Sequence, residues 1–259
     1  NVFYKINVEI VQKNKNLVYL KKDAFFKNKL IKQSKIGVII QARQGSTRLP
    51  NKVLKKINGF TIIQLLLARL VRSKTINKII VAIPKNRLNF RLQKHLCANN
   101  IDYYKGSEQN VLKRYFDAAK KNKFDFIVRI TSDCPLLEYN LLDQLVKFAL
   151  KKNVDYVSNI RPASLPQGFS IEIFKFSALK KSYLKAKKNH QKEHVNYYIH
   201  ENKMFNRSNF FIKNMNFSSK NFSIDFLRDL RFVEKVYKYF FPNVHFSLND
   251  IAKNIKKYG

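Results

Sequence analysis

Cysteine is scarce in this chain and tryptophan is absent: the 259 residues include two Cys and no Trp. The two cysteines, Cys97 and Cys134, do not have the spacing of a metal site. Two cysteines are also too few for a disulfide framework. Proteins with so little cysteine usually fold in a reducing compartment. We therefore expect the chain to work in the cytoplasm.

Long apolar runs are missing as well. No run reaches the roughly 18–20 apolar residues that a membrane-spanning helix needs. Residues 1–16, NVFYKINVEIVQKNKN, lack the continuous apolar stretch of a secretory signal. These two absences predict a protein that is not inserted in a membrane.

Acidic residues are few beside basic ones, with 17 Asp and Glu against 51 Lys and Arg, for a formal net charge of +34. Such an excess is typical of proteins that bind nucleic acid. The lysines, however, occur in every segment and do not cluster with aromatic residues on one element. We interpret the charge as a solvated surface and expect no specific nucleic-acid partner. A basic nucleic-acid-binding protein without catalytic activity is the alternative.

Apolar runs of strand length alternate with segments of helical period from residue 36 onward. This alternation, with short joints, predicts an α/β fold: a three-layer sandwich in which helices cover both faces of a mostly parallel central sheet. Ligands of such sheets bind beyond the carboxyl ends of the strands. The predicted strands are 36–40, 78–83, 126–130 and 155–159, and the predicted helices are 61–73, 87–99, 110–122 and 139–153.

The chain is predicted to form one domain, residues 35–259, preceded by an N-terminal extension of unknown role, residues 1–34. The extension is rich in Lys and Asn and has no core pattern. After residue 160 the pattern predicts more strands and helices on the same sheet. The strands are FSIEIF (169–174), NFFIKNMNFS (209–218) and NFSIDF (221–226), and the helices are 177–188, 193–203 and 227–240.

The loop after the first strand, within IGVIIQARQGSTRLPNKVL (36–54), concentrates groups that bind phosphate. Gly45 permits tight backbone geometry, and Ser46 and Thr47 provide hydroxyl and amide donors. The cations of the loop are Arg43, Arg48 and Lys52. Such a loop directly after a strand can cradle a polyphosphate, although it has neither the Walker pattern nor the dinucleotide fingerprint. An ordinary basic loop is the alternative.

Two aspartates and one arginine stand out at later strand ends. Asp133, in RITSDCPLLE, and Asp225, in NFSIDFLRDL, are suitably placed to hold a divalent cation against phosphate oxygens. For each of them the alternative is an N-cap of the following helix. Arg129 lies inside an apolar strand, where a partly buried arginine needs a partner. That partner is either a structural carboxylate or a ligand phosphate.

A histidine and a glutamate lie side by side in QKEHVNYYIH (191–200). His194 follows Glu193 and precedes His200 by six positions, which is not the spacing of a zinc pair on a helix. A lone histidine beside a glutamate on a helix is usually structural or on the surface. The residues alone therefore leave the role of His194 open.

The chain resembles the bacterial cytidylyltransferases of spore-coat polysaccharide biosynthesis (SpsF-like), which are related to the CMP-sugar synthetases that activate acylneuraminates and 3-deoxy-manno-octulosonate. The similar segments are, in order, IIQARQGSTRLPNKVL, VLKRYFDAAK, VRITSDCPLL, DYVSN, EHVNYYI and SIDF, between about residues 35 and 241. The resemblance implies a nucleotide-diphospho-sugar-transferase-like fold. It also implies a nucleotidyltransferase that converts CTP and a small, anionic acceptor, such as a sugar acid, into CMP-acceptor and pyrophosphate.

The resemblance also implies roles for single residues by match to the family motif. Three residues would be catalytic: Arg48, Lys52 and Asp133. The nucleotide would be bound by Ala42, Arg43, Gly45, Ser46, Arg48, Lys52, Ser107 and Arg129. A Mg²⁺ cofactor would be held by Asp133 and Asp225. The acceptor would be bound by Glu172, Glu193 and His194. Homodimers are common among similar proteins, so a homodimer is considered too.

The chain departs from the family pattern at several positions. Gln44 stands where SpsF-like proteins commonly have Met, and Asn51 stands where they have Gly. Ser132 replaces the glycine of Thr-Gly-Asp-Cys-Pro, and Ser170 stands where the family often has Asp, which leaves the acceptor open. A GT-A-like glycosyltransferase is an alternative function. It would need an Asp-x-Asp-like metal pair, whereas this chain has Ser132-Asp133.

Overall fold

The computed structural model describes residues 34–212 and 221–257. The strands are β1 Ile36–Gln41, β2 Lys56–Ile57, β3 Phe60–Thr61, β4 Lys78–Pro84, β5 Tyr103–Gly106, β6 Phe126–Thr131, β7 Tyr156–Ser158, β8 Glu172–Lys175 and β9 Arg207–Asn209. The helices are α1 Ile62–Leu70, α2 Phe90–Ala98, α3 Val111–Asn122, α4 Tyr139–Lys152, α5 Phe176–Lys185, α6 Asn189–Glu193, α7 Tyr197–Glu201, α8 Leu227–Phe240 and α9 Leu248–Lys253. The predicted extension, apart from its last residue, lies outside the described residues.

A seven-stranded sheet forms the centre of the fold, in the order β5-β4-β1-β6-β8-β7-β9. All its neighbouring strands are parallel except at β8, which runs antiparallel to both β6 and β7. β1 is in the middle of the parallel part, with Ile40 in register with Val81 of β4 and Ile130 of β6. The predicted mostly parallel sheet is therefore confirmed.

Apolar side chains fill both faces of this sheet, because each successive residue of a strand points to the opposite side. Val38 and Ile40 pack with α1, α2, α4, α8 and α9 on one face. Ile39, between them, packs with α3, α5 and α7 on the other. The two buried clusters make the three layers that the alternating pattern predicted. In the part of the chain that the structure describes, no helix is both long and apolar enough to cross a membrane.

The predictions after residue 160 are partly wrong. Residues 221–226 form no strand: Asn221 makes one isolated bridge with Gln167, while Phe222 and Ile224 are buried in a loop. Of the described residues 209–212 only Asn209 is in a strand, and residues 213–218 of the predicted segment lie outside the described residues. β5 was not predicted, because its four residues, YYKG, show no alternation of apolar and polar side chains. In the structure none of the four is fully buried.

Candidate active site

The basic loop that follows β1 lies at the carboxyl end of the central strands. β1 is paired with β4 on one side and β6 on the other, so the loop leaves the middle of the sheet. Its first residue, Ala42, donates its backbone N–H to the carbonyl of Ala82 at 3.2 Å. Inside the loop the Ser46 hydroxyl accepts from the backbone N–H of Leu49 at 3.4 Å. The loop is thus where ligands of such sheets bind.

Gln44 holds this loop from the inside and is only 7% exposed. Its Oε1 accepts from the backbone N–H of Leu92 at 2.8 Å, and its Nε2 donates to Asn51 Oδ1 at 2.8 Å. Its backbone N–H donates to Asn89 Oδ1 at 2.9 Å. These bonds tie the loop to the start of α2 and to the residue before Lys52. The positions of the loop cations are therefore set by a buried amide.

Lys52 joins the two aspartates that the sequence singled out. Its Nζ lies 2.9 Å from Asp133 Oδ2 and 3.0 Å from Asp225 Oδ1, and it donates to the Ile224 carbonyl at 2.7 Å. Arg48 Nη2 lies 2.8 Å from the same Asp225 Oδ1. Since both carboxylates contact one nitrogen, their oxygens are no farther apart than the sum of those two distances. The two aspartates therefore converge on one cation.

Neither aspartate serves as a helix N-cap, so that alternative is wrong. Phe226 occupies the N-cap position of α8, and Asp229 accepts from the backbone N–H groups of Asp225 and Phe226 at 2.9 and 2.8 Å. The N-cap position of α4 is Glu138, not Asp133. Asp229 thus holds the backbone of Asp225 in place and leaves its carboxylate for the cleft.

Burial and charge act in opposite directions on Asp133. Burial alone would raise the pKa of this carboxyl group, but the Lys52 ammonium and a hydrogen bond from Thr131 lower it. The net pKa lies below the ordinary value. Asp133 is therefore ionised at neutral pH, as a cation ligand must be.

A cleft of about 260 Å³ opens over this cluster. A second cavity of about 220 Å³ adjoins it and shares Arg129, Thr131, Asp133 and Asp225 with it. The predicted site residues that line the cleft are Ala42, Arg43, Ser46, Arg48, Lys52, Arg129, Asp133, Glu193, His194 and Asp225. Glu172 lines the second cavity. Gly45 and Ser107 line neither. The fold therefore brings most of the predicted residues together.

The chain matches the family model described as cytidylyltransferase over residues 37–243. The chain belongs to the cytidylyltransferase family. This membership covers the cleft and every strand of the main sheet, apart from the first residue of β1. The family resemblance drawn from the sequence motifs is confirmed.

Known relatives of this chain agree with the assignment to the family. An uncharacterised protein of Methanocaldococcus jannaschii is 43% identical over 168 residues, 65% of this chain and 68% of that protein. The spore coat polysaccharide biosynthesis protein SpsF of Bacillus subtilis is 27% identical over 207 residues, 77% of this chain and 85% of SpsF. A solved cytidylyltransferase from Leptospira borgpetersenii has a TM-score of 0.82 at 31% identity, covering 86% of this chain and 94% of that one.

Arg129 is held by Glu172, so its partner inside the protein is a structural carboxylate. Glu172 is 2% exposed and also accepts from the Tyr156 hydroxyl and from Asn196 Nδ2, each at 2.6 Å. Burial lowers the pKa of Arg129, but Glu172 and a nearby tyrosine more than offset this, so the net pKa is raised. With three donors on its carboxylate, Glu172 orients Arg129. Its predicted contact with the acceptor stays a prediction.

Two departures from the family pattern belong to one contact. Asn51, where relatives commonly have Gly, has a φ of 56°, in the left-handed region that favours glycine. Asparagine tolerates this region better than most residues. Its side chain bonds to Gln44, the second departure. Ser132, the third, does not have a positive φ and is buried without backbone strain.

Reasoning from the sequence missed four polar or charged residues of the cleft, Gln41, Glu108, Arg114 and Thr131, besides the apolar Val53, Pro84 and Val111. Gln41 Oε1 accepts from Arg129 Nε at 3.3 Å, and the sequence analysis assigned this residue, which follows the predicted first strand, no role. Arg114 lies in the helical segment VLKRYFDAAK, and the sequence analysis assigned it no role. The signal that would have found it is the position of this segment after a strand end, but β5 itself was not predicted.

Proposed function

We propose that this chain transfers the cytidylyl group of CTP to an oxygen of a small anionic acceptor, a sugar acid or a related compound. The acceptor oxygen forms a bond to the α-phosphorus, and the bond from that phosphorus to the bridging oxygen of pyrophosphate breaks. The observation that carries the proposal is the convergence of Asp133 and Asp225 on Lys52 beside the basic loop. Membership of the cytidylyltransferase family supports it.

The two aspartates suit a Mg²⁺ ion. Sites for this ion in phosphoryl-transfer enzymes use one or two carboxylates together with substrate oxygens. Here two carboxylates meet around the Lys52 ammonium, which already fills the position of a shared cation. No cluster of three or more His, Cys, Asp or Glu side chains occurs within residues 34–212 and 221–257, so the remaining ligands would come from CTP and water. When bound, Mg²⁺ would neutralise charge on the phosphate oxygens.

The chain's own cations complete the neutralisation of a triphosphate. Arg48 and Lys52 are aimed at the metal-binding carboxylates, so both lie within reach of phosphate oxygens held there. Arg43, on the same loop, and Arg129, from β6, also line the cleft. A reaction of this kind depends on alignment and charge stabilisation more than on covalent catalysis. These residues therefore position the α-phosphorus and stabilise the departing pyrophosphate.

The second cavity, which adjoins the cleft at Asp133 and Asp225, provides room for the acceptor. It is lined by polar groups that include Gln167 and Ser170, with Arg129 at its boundary with the cleft. Arg129 is the one cation among the residues that line this cavity, and it is paired with Glu172. Because Ser170 replaces an aspartate of the family, the pocket has one negative charge fewer. The relative SpsF is named for polysaccharide biosynthesis, which fits a sugar-derived acceptor. A homodimer and a cytoplasmic location stay predictions.

Pyrophosphate release from CTP, Mg²⁺ and a panel of sugar acids tests the proposal. We expect turnover with at least one acceptor. In Asp133→Asn the turnover rate should fall about 100-fold or more, because a carboxylate that would hold Mg²⁺ against the negatively charged phosphates is removed. Asp102→Asn is the matched control, since Asp102 pairs with Lys78 at the opposite ends of the strands. Turnover of Asp133→Asn at the wild-type rate would contradict the assignment of the site.

A further inference from the structure

Two large apolar side chains project into solvent between β4 and α2. Leu88, in the short 3-10 turn Arg87–Asn89, is 69% exposed, and Phe90, the first residue of α2, is 64% exposed. Apolar residues that are exposed singly are common on protein surfaces. Here two of them are separated by a single residue, and neither lines the cleft or the second cavity. The proposed reaction therefore gives them no role.

The packing around the start of α2 explains why this pair does not turn inward. Asn89 and Leu92 are buried, and they are three positions apart, on one face of the segment. Asn89 Oδ1 accepts from the Gln44 backbone N–H, and the Leu92 backbone N–H donates to Gln44 Oε1. Turning Leu88 and Phe90 inward would break these contacts with the basic loop. Their exposure is therefore fixed by the fold.

Four cations surround the pair and no acidic residue accompanies them. They are exposed and belong to the same short segment: Lys85, Arg87, Arg91 and Lys94. The sequence has no Asp or Glu from residue 79 to residue 101. Within the described ranges, none of the four takes part in a salt bridge. We call these four residues, with Leu88 and Phe90, the α2 patch.

The α2 patch begins at the carboxyl end of the sheet, as the cleft does. β4 ends at Pro84, which lines the cleft, and the patch begins at the next residue, Lys85. No residue of the patch lines the cleft or the second cavity. A partner held by the patch would thus lie near the cleft without using any of its residues.

We propose that the α2 patch binds peripherally to an anionic lipid surface. Leu88 and Phe90 enter the region between headgroups and acyl chains, and the four cations lie among the phosphates of the headgroups. Such a surface offers negative charge and apolar volume side by side, which is the combination that the patch needs. This mode of binding places no helix across the membrane. It goes beyond the proposed function of the cleft.

Two other partners fit the patch less well. A single-stranded nucleic acid offers phosphates to the cations and bases that stack on Phe90, but it has no apolar volume for Leu88. A second copy of this chain would bring together two molecules that each carry a formal net charge of +34, and their repulsion disfavours that contact. The lipid surface is therefore the partner that suits both the charge and the apolar pair.

Sedimentation with lipid vesicles at physiological salt tests the proposal. The probes are vesicles of phosphatidylcholine alone and vesicles of phosphatidylcholine and phosphatidylglycerol in equal amounts. We expect the wild type to bind the mixed vesicles at least about tenfold more tightly than the neutral ones. The double variant Leu88→Ser with Phe90→Ser should bind the mixed vesicles about tenfold more weakly, because its apolar anchors are lost. Arg87→Gln with Arg91→Gln should weaken binding about tenfold as well.

Two control variants separate the patch from the charge of the whole molecule. Leu184→Ser with Met204→Ser removes two other exposed apolar side chains, one on α5 and one after α7. Lys147→Gln with Lys151→Gln removes two exposed charges from α4. Each control should change the affinity for mixed vesicles by less than about threefold, because one or two scattered groups add little to binding by the patch.

Three results would overturn the proposal. The first is a wild type that binds the mixed vesicles no better than the neutral ones. The second is an equal loss of vesicle binding in the controls and the patch variants, which would assign the binding to overall charge. The third is a pair of patch variants that lose affinity for a single-stranded oligonucleotide but keep their affinity for mixed vesicles, which would make nucleic acid the partner.

Discussion

Asn51 shows how one residue sets the geometry next to the cluster of Lys52, Asp133 and Asp225. Its backbone is left-handed, with a φ of 56°, and its side-chain oxygen accepts from Gln44 at 2.8 Å. The next residue is Lys52, which joins the two aspartates. The left-handed backbone of Asn51 and its contact with Gln44 together therefore fix the position of the Lys52 backbone, from which its side chain reaches the aspartates.

Replacement of Asn51 by alanine should destabilise the protein by about 1–2 kcal/mol. The loss combines the cost of a left-handed alanine with the lost hydrogen bond to Gln44. Asn51→Gly should lose less, because glycine adopts this conformation without strain. Urea unfolding of both variants measures the difference. Equal losses in the two variants would show that the backbone conformation contributes nothing.

At the same scale, the sequence could predict the kinds of residue but not their partners. The cations of the loop and both aspartates were identified from strand ends and family motifs. That Lys52 contacts Asp133 and Asp225 could not be predicted, because the partners are 81 and 173 positions away along the chain. The contact of Gln44 with Asn51 had no local signal either. For Arg129 the apolar strand predicted that a partner is needed, but not that this partner is Glu172.

Among the elements, α1 carries an unusual fully buried arginine. Arg69 is 1% exposed and donates to the backbone carbonyls of Leu137, Leu136, Phe246 and Val244. It thereby joins α1 to the segment after β6 and to the segment before α9. Burial lowers the pKa of this guanidinium, and the four carbonyls partly replace its hydration.

Arg69→Met should lower the free energy of unfolding by at least about 3 kcal/mol, because four buried carbonyls lose their donor. Arg72→Met is the matched control: Arg72 is exposed just beyond the same helix, and its loss should cost less than about 0.5 kcal/mol. Chemical denaturation measures both. A loss in Arg69→Met as small as in the control would mean that the carbonyls find other donors.

The predictability of each element followed its environment. β1, β4 and β6 are buried on both faces and read as continuous apolar runs, so they were predicted within a residue or two. Phe222 and Ile224 also read as strand, because they alternate with polar residues. Their backbone N–H groups instead donate to carbonyls of Gln167 and Asp133. Tertiary contacts of that kind override a local pattern.

For the whole molecule, stability should depend on pH through His245. Burial, with Arg72 and Arg69 nearby, lowers the pKa of this imidazole to about 4. The folded protein therefore keeps His245 neutral, while the unfolded chain takes up a proton below its ordinary pKa of about 6.5. The stabilisation is present above about pH 6.5 and is lost as the pH falls toward 4.

Between pH 7.5 and pH 5, the wild type should therefore lose about 1 kcal/mol more unfolding free energy than His245→Gln, which has no proton to take up. The value is reduced from the full linkage because the ring is partly exposed. Urea unfolding at the two pH values measures it. The same pH dependence in both proteins would mean that other groups produce it.

For the whole molecule, the proposed function requires one metal-bound triphosphate held between the basic loop and two aspartates. The most direct measurement is the anomalous scattering of Mn²⁺, used in place of Mg²⁺, in crystals grown with CTP. We expect one strong anomalous peak from a Mn²⁺ ion that is bound by both Asp133 and Asp225 and by phosphate oxygens. Arg48 and Lys52 should lie beside the triphosphate. A peak bound by neither aspartate, or a triphosphate away from residues 43–52, would contradict it.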